Sequence, residues 1–165
     1  MPNTTNTHLP TILYVEDNEG DALLLTEALR VKGHATQLLI LEKGDKALRY
    51  LQVKASASDV PPPHCILLDG YLPVVTGIEL LRFIRGSRSF DQTPVYIFNL
   101  QRNYSQLVTS GMVSEDTFLV KPNTWDGFLL LADHLMRSAE ITMKHPEVVA
   151  TKDNPEIKPP ADLKM

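Results

Sequence analysis

The sequence predicts an α/β fold: a doubly wound sheet of five parallel strands with helices on both faces. Two observations predict it. Apolar runs of strand length recur five times along the chain, and segments with apolar residues at helical spacing separate them. Crossovers of this kind are right-handed and bring the strands into register side by side. At 165 residues the chain fits one domain plus tails, and a domain of about 130 to 150 residues buries roughly two thirds of the surface its unfolded form exposes.

Residues 1–10 are polar and expected to be flexible. Thr11 to Val15 is a β-branched and aromatic run, the first strand, and it ends at Glu16-Asp17-Asn18. Ala22, Leu25 and Leu29 recur at helical spacing from about Glu19 to Val31, with Asn18 or Asp21 able to cap and Gly33 to terminate. Thr36 to Leu41 is the second strand. Ala47, Leu48 and Leu51 mark a second helix from Gly44 to about Lys54, and Pro61-Pro62-Pro63 makes the next connection a loop. The third strand, Cys-Ile-Leu-Leu, ends at Asp69, where Gly70 and Pro73 break the run.

Ile78, Leu81 and the pair Phe83-Ile84 alternate with Glu79, Arg82 and Arg85 as an amphipathic helix from Gly77 to Arg85. Pro94 opens a fourth strand that runs to about Asn99, a place where a missing N–H is tolerated. Tyr104 to Met112 offers a short helix, and Thr117 to Val120 is the fifth strand. Trp125, Phe128, Leu129, Leu131, Leu135 and Met136 form a broad apolar arc from Trp125 to Ser138, a last helix that packs on the sheet. Residues 141–165 hold Pro146, Pro155, Pro159 and Pro160 among charges, and little fixed structure is expected there. No internal repeat is present.

Composition narrows the function classes. Cys65 is the single cysteine, which excludes disulfides within the chain and a four-cysteine zinc site, and a reducing, cytoplasmic setting is the default expectation. No apolar run approaches the ~20 residues of a membrane span. A net charge of −4 gives no broad footprint for nucleic acid. Arg82, Arg85 and Arg88 are read as a solvated helical face. His64 and Cys65 are strand neighbours with side chains on opposite faces, so they form no nucleophile and base pair, and Cys65 is read as packing. His8, His34, His134 and His145 lack ligand spacing and are read as surface residues.

The candidate site lies at the strand ends. In an open parallel sheet ligands collect outside the carboxyl ends of the strands. Asp69 sits at such an end, where it can be a reactive carboxylate or an Asx-turn residue. Glu16 and Asp17 end the first strand, where acids before a helix N-terminus are favourable in their own right. With the commonest five-strand order, 2-1-3-4-5, the first and third strands adjoin at the switch point and the acids converge.

Two unit charges about 4 Å apart repel by on the order of 4 kcal/mol at an effective dielectric of 20, so something positive must sit among them. Hard oxygen donors without His or Cys favour Mg²⁺. Lys121, at the end of the fifth strand, can pair with Asp69 or with a phosphate. The set suits an aspartate that attacks phosphorus.

These residues stand within longer stretches: Ile-Leu-Tyr-Val-Glu-Asp-Asn at 12–18, Leu-Leu-Asp-Gly-Tyr-Leu-Pro at 67–73, Thr-Gly-Ile-Glu-Leu-Leu at 76–81, Pro94-Val95, and Phe118-Leu119-Val120-Lys121-Pro122. In them the chain resembles the response-regulator receiver domain of two-component signalling, over about residues 11–138. The resemblance implies the flavodoxin-like receiver fold, with the domain over residues 11–140. It implies Asp69 as phosphoacceptor, Glu16, Asp17 and Asp69 with the Tyr71 carbonyl as the Mg²⁺ site, and Lys121 as the phosphate-pairing lysine. It also implies a cis Lys121-Pro122 bond that aims the lysine.

The implied protein is a phosphoacceptor in a phosphorelay and not an enzyme with a separate substrate, although it catalyses its own phosphotransfer and dephosphorylation. The implied donor is a sensor histidine kinase or phosphotransfer protein. With only ~25 residues after the last helix, no output domain is expected. The signal then leaves through a downstream protein or a second copy of the chain at the strand-five face, where Phe118 is the switch aromatic. The Glu-Asp-Asn opening and the long connection before the third strand are similar to receivers that serve bacterial phytochrome-type kinases.

Two departures stand out. Asn99 holds the switch position where the family has Thr or Ser, which keeps open an alternative: a receiver-like interaction module that works without phosphorylation. Gly70, beside the phosphoacceptor, leaves that side of the pocket open, with Tyr71 and Gln101 at positions that resemble those tuning phosphate lifetime. An aspartyl-phosphate phosphohydrolase wants a second acid two positions after its nucleophile, and Tyr71 stands there instead.

Overall fold

The computed structural model describes residues 8–57, 59–111, 113–146 and Leu163. Its strands are β1 (Thr11–Val15), β2 (Gln37–Leu41), β3 (Cys65–Asp69), β4 (Val95–Asn99) and β5 (Phe118–Val120). Its helices are α1 (Glu19–Val31), α2 (Gly44–Ser56), α3 (Gly77–Arg85) and α4 (Trp125–Lys144). All strand pairs are parallel, in the order β2-β1-β3-β4-β5. The doubly wound sheet expected from the sequence is the one observed.

Burial follows position in the sheet. Every residue of β3 and β4 is buried, as central parallel strands covered on both faces require. Edge strand β2 is only partly buried and begins with exposed Gln37.

Alternate residues serve opposite faces. Ile12, Tyr14, Cys65, Leu67, Tyr96, Phe98 and Leu119 belong to one core with α1 and α4. Leu13, Val15, Ile66, Leu68, Val95, Ile97 and Phe118 belong to the other, with α2, α3 and the segment around Leu107. Each fully buried Leu, Ile or Phe contributes about 1.5–3 kcal/mol relative to exposure, so the two layers fix the sheet and hence its rim.

Local chemistry sets the helix starts nearest that rim. The Asn18 side chain accepts from the Asp21 N–H at 3.0 Å and caps α1; Asp21 is the capped residue. Thr76 and Glu79 form a reciprocal capping box at α3, and Thr124 caps α4.

Several expectations are corrected. The last helix continues past Ser138 to Lys144, because Ala139 and Thr142 extend the buried stripe and Pro146 is the first proline to interrupt it. Residues 141–144 are therefore ordered helix, and Leu163 is buried in the α1–α4 core; residues 147–162 and 164–165 of the expected tail, and residues 1–7, lie outside the described residues. His134 is not a surface residue: it is 2% exposed and meets Tyr96 edge to face at 4.9 Å, because α4 turns it toward the sheet.

Arg88 lies beyond the end of α3, in a 3₁₀ turn, so the three arginines share no helical face. The helix expected from Tyr104 to Met112 is a 3₁₀ turn at Gln101–Asn103 followed by a π-helical turn at Ser105–Thr109, and Met112 lies outside the described residues. Only Leu107 is buried in that turn, and the Ser110 hydroxyl bonds back to the Gln106 and Leu107 carbonyls, so little packing selects a regular α-helix.

Candidate functional site

Register brings the site together. Val15 pairs with both Leu41 and Leu68, which sets Glu16 beside the end of β3 at Asp69. Asn99 pairs with Val120, which puts Lys121 one step beyond, and the Lys121 N–H donates to the Asn99 carbonyl at 2.7 Å. By strand alternation Tyr14, Glu16, Asp69 and Phe98 share a face, and Lys121 continues the face of Leu119.

Lys121 Nζ is the hub. It donates to Glu16 Oε2 at 2.9 Å, Asp21 Oδ2 at 3.0 Å and Asp69 Oδ2 at 3.3 Å, and it lies 5.2 Å from the Phe98 ring centroid. Burial alone would lower its proton affinity, and the acids, Glu16 foremost, more than reverse that and raise it. The lysine therefore stays charged. Glu16 moves in the opposite sense: burial, then the hydrogen bond and charge of Asp69, push its carboxyl up to about 7 against the pull of Lys121.

Asp69 divides its oxygens between two tasks. Oδ1 accepts from the Tyr71 N–H at 3.0 Å, which is the Asx turn, while Oδ2 faces Lys121. The Asx turn orients the carboxylate, with its second oxygen toward Lys121. Asp69 is 6% exposed and lines an open cavity of about 520 Å³ with Asn18, Asp21, Asn99, Arg102 and Lys121.

One carboxylate oxygen from each of Glu16, Asp17 and Asp69 lies within 4.8 Å of the others. Three hard oxygen donors at that spacing fit a divalent cation. Asp17 is the exposed member.

The lysine is aimed without the expected cis bond. No peptide bond among the described residues is cis, and the three carboxylates together with the backbone bond to Asn99 hold Lys121 in place. Asn99, 3% exposed, is at the same mouth. Phe118 is not: it begins β5 in the opposite core, edge to face with Tyr104 at 5.3 Å.

Sequence reasoning missed three members. Asp21, read only as a cap, is one helical turn after Asp17, a spacing that could have revealed it. Tyr14 precedes Glu16 by two, the strand period, and donates its hydroxyl to Glu16 Oε2 at 3.0 Å; burial raises the Tyr14 phenol, so it remains a donor. Asn103 donates to Asn99 Oδ1 at 2.7 Å, a contact that depends on the 3₁₀ turn.

Comparison with known proteins agrees with this geometry. The family model for the response regulator receiver domain matches residues 12–131. The response regulator Rcp1 of Synechocystis is 31% identical over 110 residues, covering 67% of this chain and 75% of its own. The structure of the bacteriophytochrome response regulator AtBRR is 33% identical at a TM-score of 0.61, covering 78% of this chain and 93% of its own. A manganese-bound form of Rcp1 is 26% identical at a TM-score of 0.62, covering 86% of this chain and 97% of that one. The five parallel strands, the acid cluster and the family match together make the chain a member of the response regulator receiver family, whose work is phosphoacceptor signalling.

Proposed function

We propose that Asp69 is the residue that receives the phosphoryl group, from a sensor histidine kinase or a phosphotransfer protein. The observation that carries this reading is the setting of Asp69: one carboxylate oxygen faces Lys121 at 3.3 Å in an open cavity, within an acid cluster of metal-site dimensions. A carboxylate oxygen of Asp69 attacks the phosphorus, the P–N bond to the donor's imidazole breaks with its electron pair going to the ring nitrogen, and an acyl phosphate forms. Lys121, already charged, turns from Glu16 toward the new phosphoryl oxygens. A bound Mg²⁺ would be held by Glu16, Asp17 and Asp69 with the Tyr71 carbonyl, and supplies positive charge where the phosphoryl oxygens gather.

The chain catalyses its own phosphotransfer in this sense and acts on no separate substrate. The donor is a phytochrome-type kinase of the cytoplasm, a reading supported by the likeness to a bacteriophytochrome response regulator. Output passes to a downstream protein, or to a second copy, at the β5 face, where Tyr104 meets Phe118 edge to face.

Incubation with acetyl phosphate and Mg²⁺ tests the central step. The expected result is an acid-stable, base-labile mass gain of one phosphoryl group, abolished in Asp69→Asn. A gain that survives this substitution overturns the assignment of Asp69, and no gain with either a small donor or a kinase favours an interaction module that works without phosphate.

A further inference from the structure

We propose that the Asn99 carboxamide is a preset donor, which binds an oxygen of the phosphoryl group on Asp69 through Nδ2, and that Gly70 is its required companion. The proposal rests on the reading of Asp69 as phosphoacceptor.

Asn99 is pinned from one side. Its Oδ1 accepts from the Leu100 N–H and from Asn103 Nδ2, both at 2.7 Å. A backbone N–H only donates, so the bond from Leu100 fixes which end of the amide is oxygen. Nδ2 must then point the other way, and there it is buried with no hydrogen-bond partner among the described residues. A buried, unpaired donor is unfavourable and calls for a reason, such as a ligand that completes it. Asn99 lines the same cavity as Asp69 and Lys121, so a group carried by Asp69 is within that shared space.

Gly70 supplies the second observation. A Cβ built on Gly70 would stand 2.4 Å from Asn99 Nδ2, closer than atoms approach. By strand alternation Gly70 and Asn99 continue the same face of adjoining strands, so any side chain at position 70 would occupy the space into which the amide projects. The two residues form a matched pair: bulk omitted at 70 is taken up at 99.

The mode of action differs from that of a hydroxyl. A Thr or Ser hydroxyl swings about one bond to reach an arriving group. The Asn99 amide cannot turn without breaking two hydrogen bonds, so it acts by being in place beforehand.

Binding of beryllium trifluoride, a phosphoryl analogue, to the full chain with Mg²⁺ tests this, followed through Trp125 fluorescence and through the ¹⁵N-resolved side-chain amide signals. Asn99→Ala is expected to weaken binding about tenfold, the scale of one hydrogen bond to a charged group, with Mg²⁺ affinity unchanged. The Asn99 amide resonance in the native chain is expected to move on addition of the analogue. Gly70→Ala is expected to weaken binding in the native background and to have little effect when combined with Asn99→Ser.

Native affinity in Asn99→Ala, an unmoved amide resonance, or an equal penalty for Gly70→Ala in both backgrounds overturns the proposal. If Asn99→Ala does not fold, the native amide resonance decides. Binding abolished by Asp69→Asn but indifferent to Asn99 overturns the role of Asn99 alone. If the native chain binds no analogue and takes no phosphate, the phosphoacceptor reading falls and this proposal with it.

Discussion

Lys121 Nζ is nearer to Glu16 Oε2, at 2.9 Å, than to Asp69 Oδ2, at 3.3 Å, so the ammonium is held chiefly by an acid other than the one assigned to phosphorus. Glu16 has a side chain that is 0% exposed, and Lys121 one that is 12% exposed. Removing one partner of such a pair leaves the other charge buried and uncompensated.

Lys121→Ala should therefore destabilise the metal-free chain by on the order of 3 kcal/mol. Divalent cation should restore much of that loss, since it replaces the missing positive charge. Urea unfolding with EDTA and with Mg²⁺ measures both effects; an equal loss in both conditions would contradict this account of the lysine.

The Glu16 carboxyl gives a pH dependence with a definite sign. Its folded midpoint is raised from 4.5 to about 7, so between those values the folded chain holds more protons than the unfolded one. Stability of the metal-free chain from this group is then fully present below about 4.5 and is lost as pH rises through about 7. Cation binding needs the ionised form, so metal affinity should rise with pH up to about 7 and level off above it, with proton release at pH 6. Calorimetric titration in buffers of different ionisation enthalpy counts the proton. Tyr14→Phe, which removes the hydroxyl donor to Glu16 Oε2, should shift the rise to higher pH.

Val74 has φ of 69° and is 87% exposed, in the loop between Asp69 and α3. A β-branched residue in the left-handed region carries about 1–3 kcal/mol of strain. Val74→Gly should relieve part of it and stabilise the chain by roughly 1 kcal/mol after the added freedom of the unfolded glycine is subtracted. Thermal unfolding of the two proteins decides the sign.

Gly77 begins α3, where Gly→Ala would ordinarily stabilise a helix by about 0.5–1 kcal/mol. Here a Cβ would lie 2.0 Å from the Asp69 carbonyl oxygen and 3.1 Å from the Gly70 Cα. Gly77→Ala should instead destabilise by about 1–3 kcal/mol, the range for overpacking. Phosphorylation of the folded fraction should fall as well, because the displaced backbone is that of Asp69. Denaturant unfolding and a phosphorylation time course on one preparation test the two together.

The strands and long helices were legible because burial on two faces forces period 2 and period 3.6, and α1 and α3 run over the residues that their spacing predicts. Glu16, Asp17, Asp69 and Lys121 were legible as candidates because each lies at or just past the carboxyl end of a strand. The segment after β4 was not: Leu107 is the one residue buried in its π-helical turn, too little to impose a period. His134 was misread because a single histidine on a long apolar arc carries no mark of the face it takes.

The sequence by itself determined which residues lie at each strand end, and with them the chemistry of the rim: acids just past β1 and at the end of β3, an amide at the end of β4, a lysine just past β5. Only the tertiary structure decided how these groups pair. Lys121 divides itself among Glu16, Asp21 and Asp69, and Asn99 turns its oxygen to Asn103 and its nitrogen toward Gly70. Strand identity follows from local pattern, whereas partner choice depends on distances of a few ångströms between residues up to 105 positions apart, which sheet register and side-chain packing set.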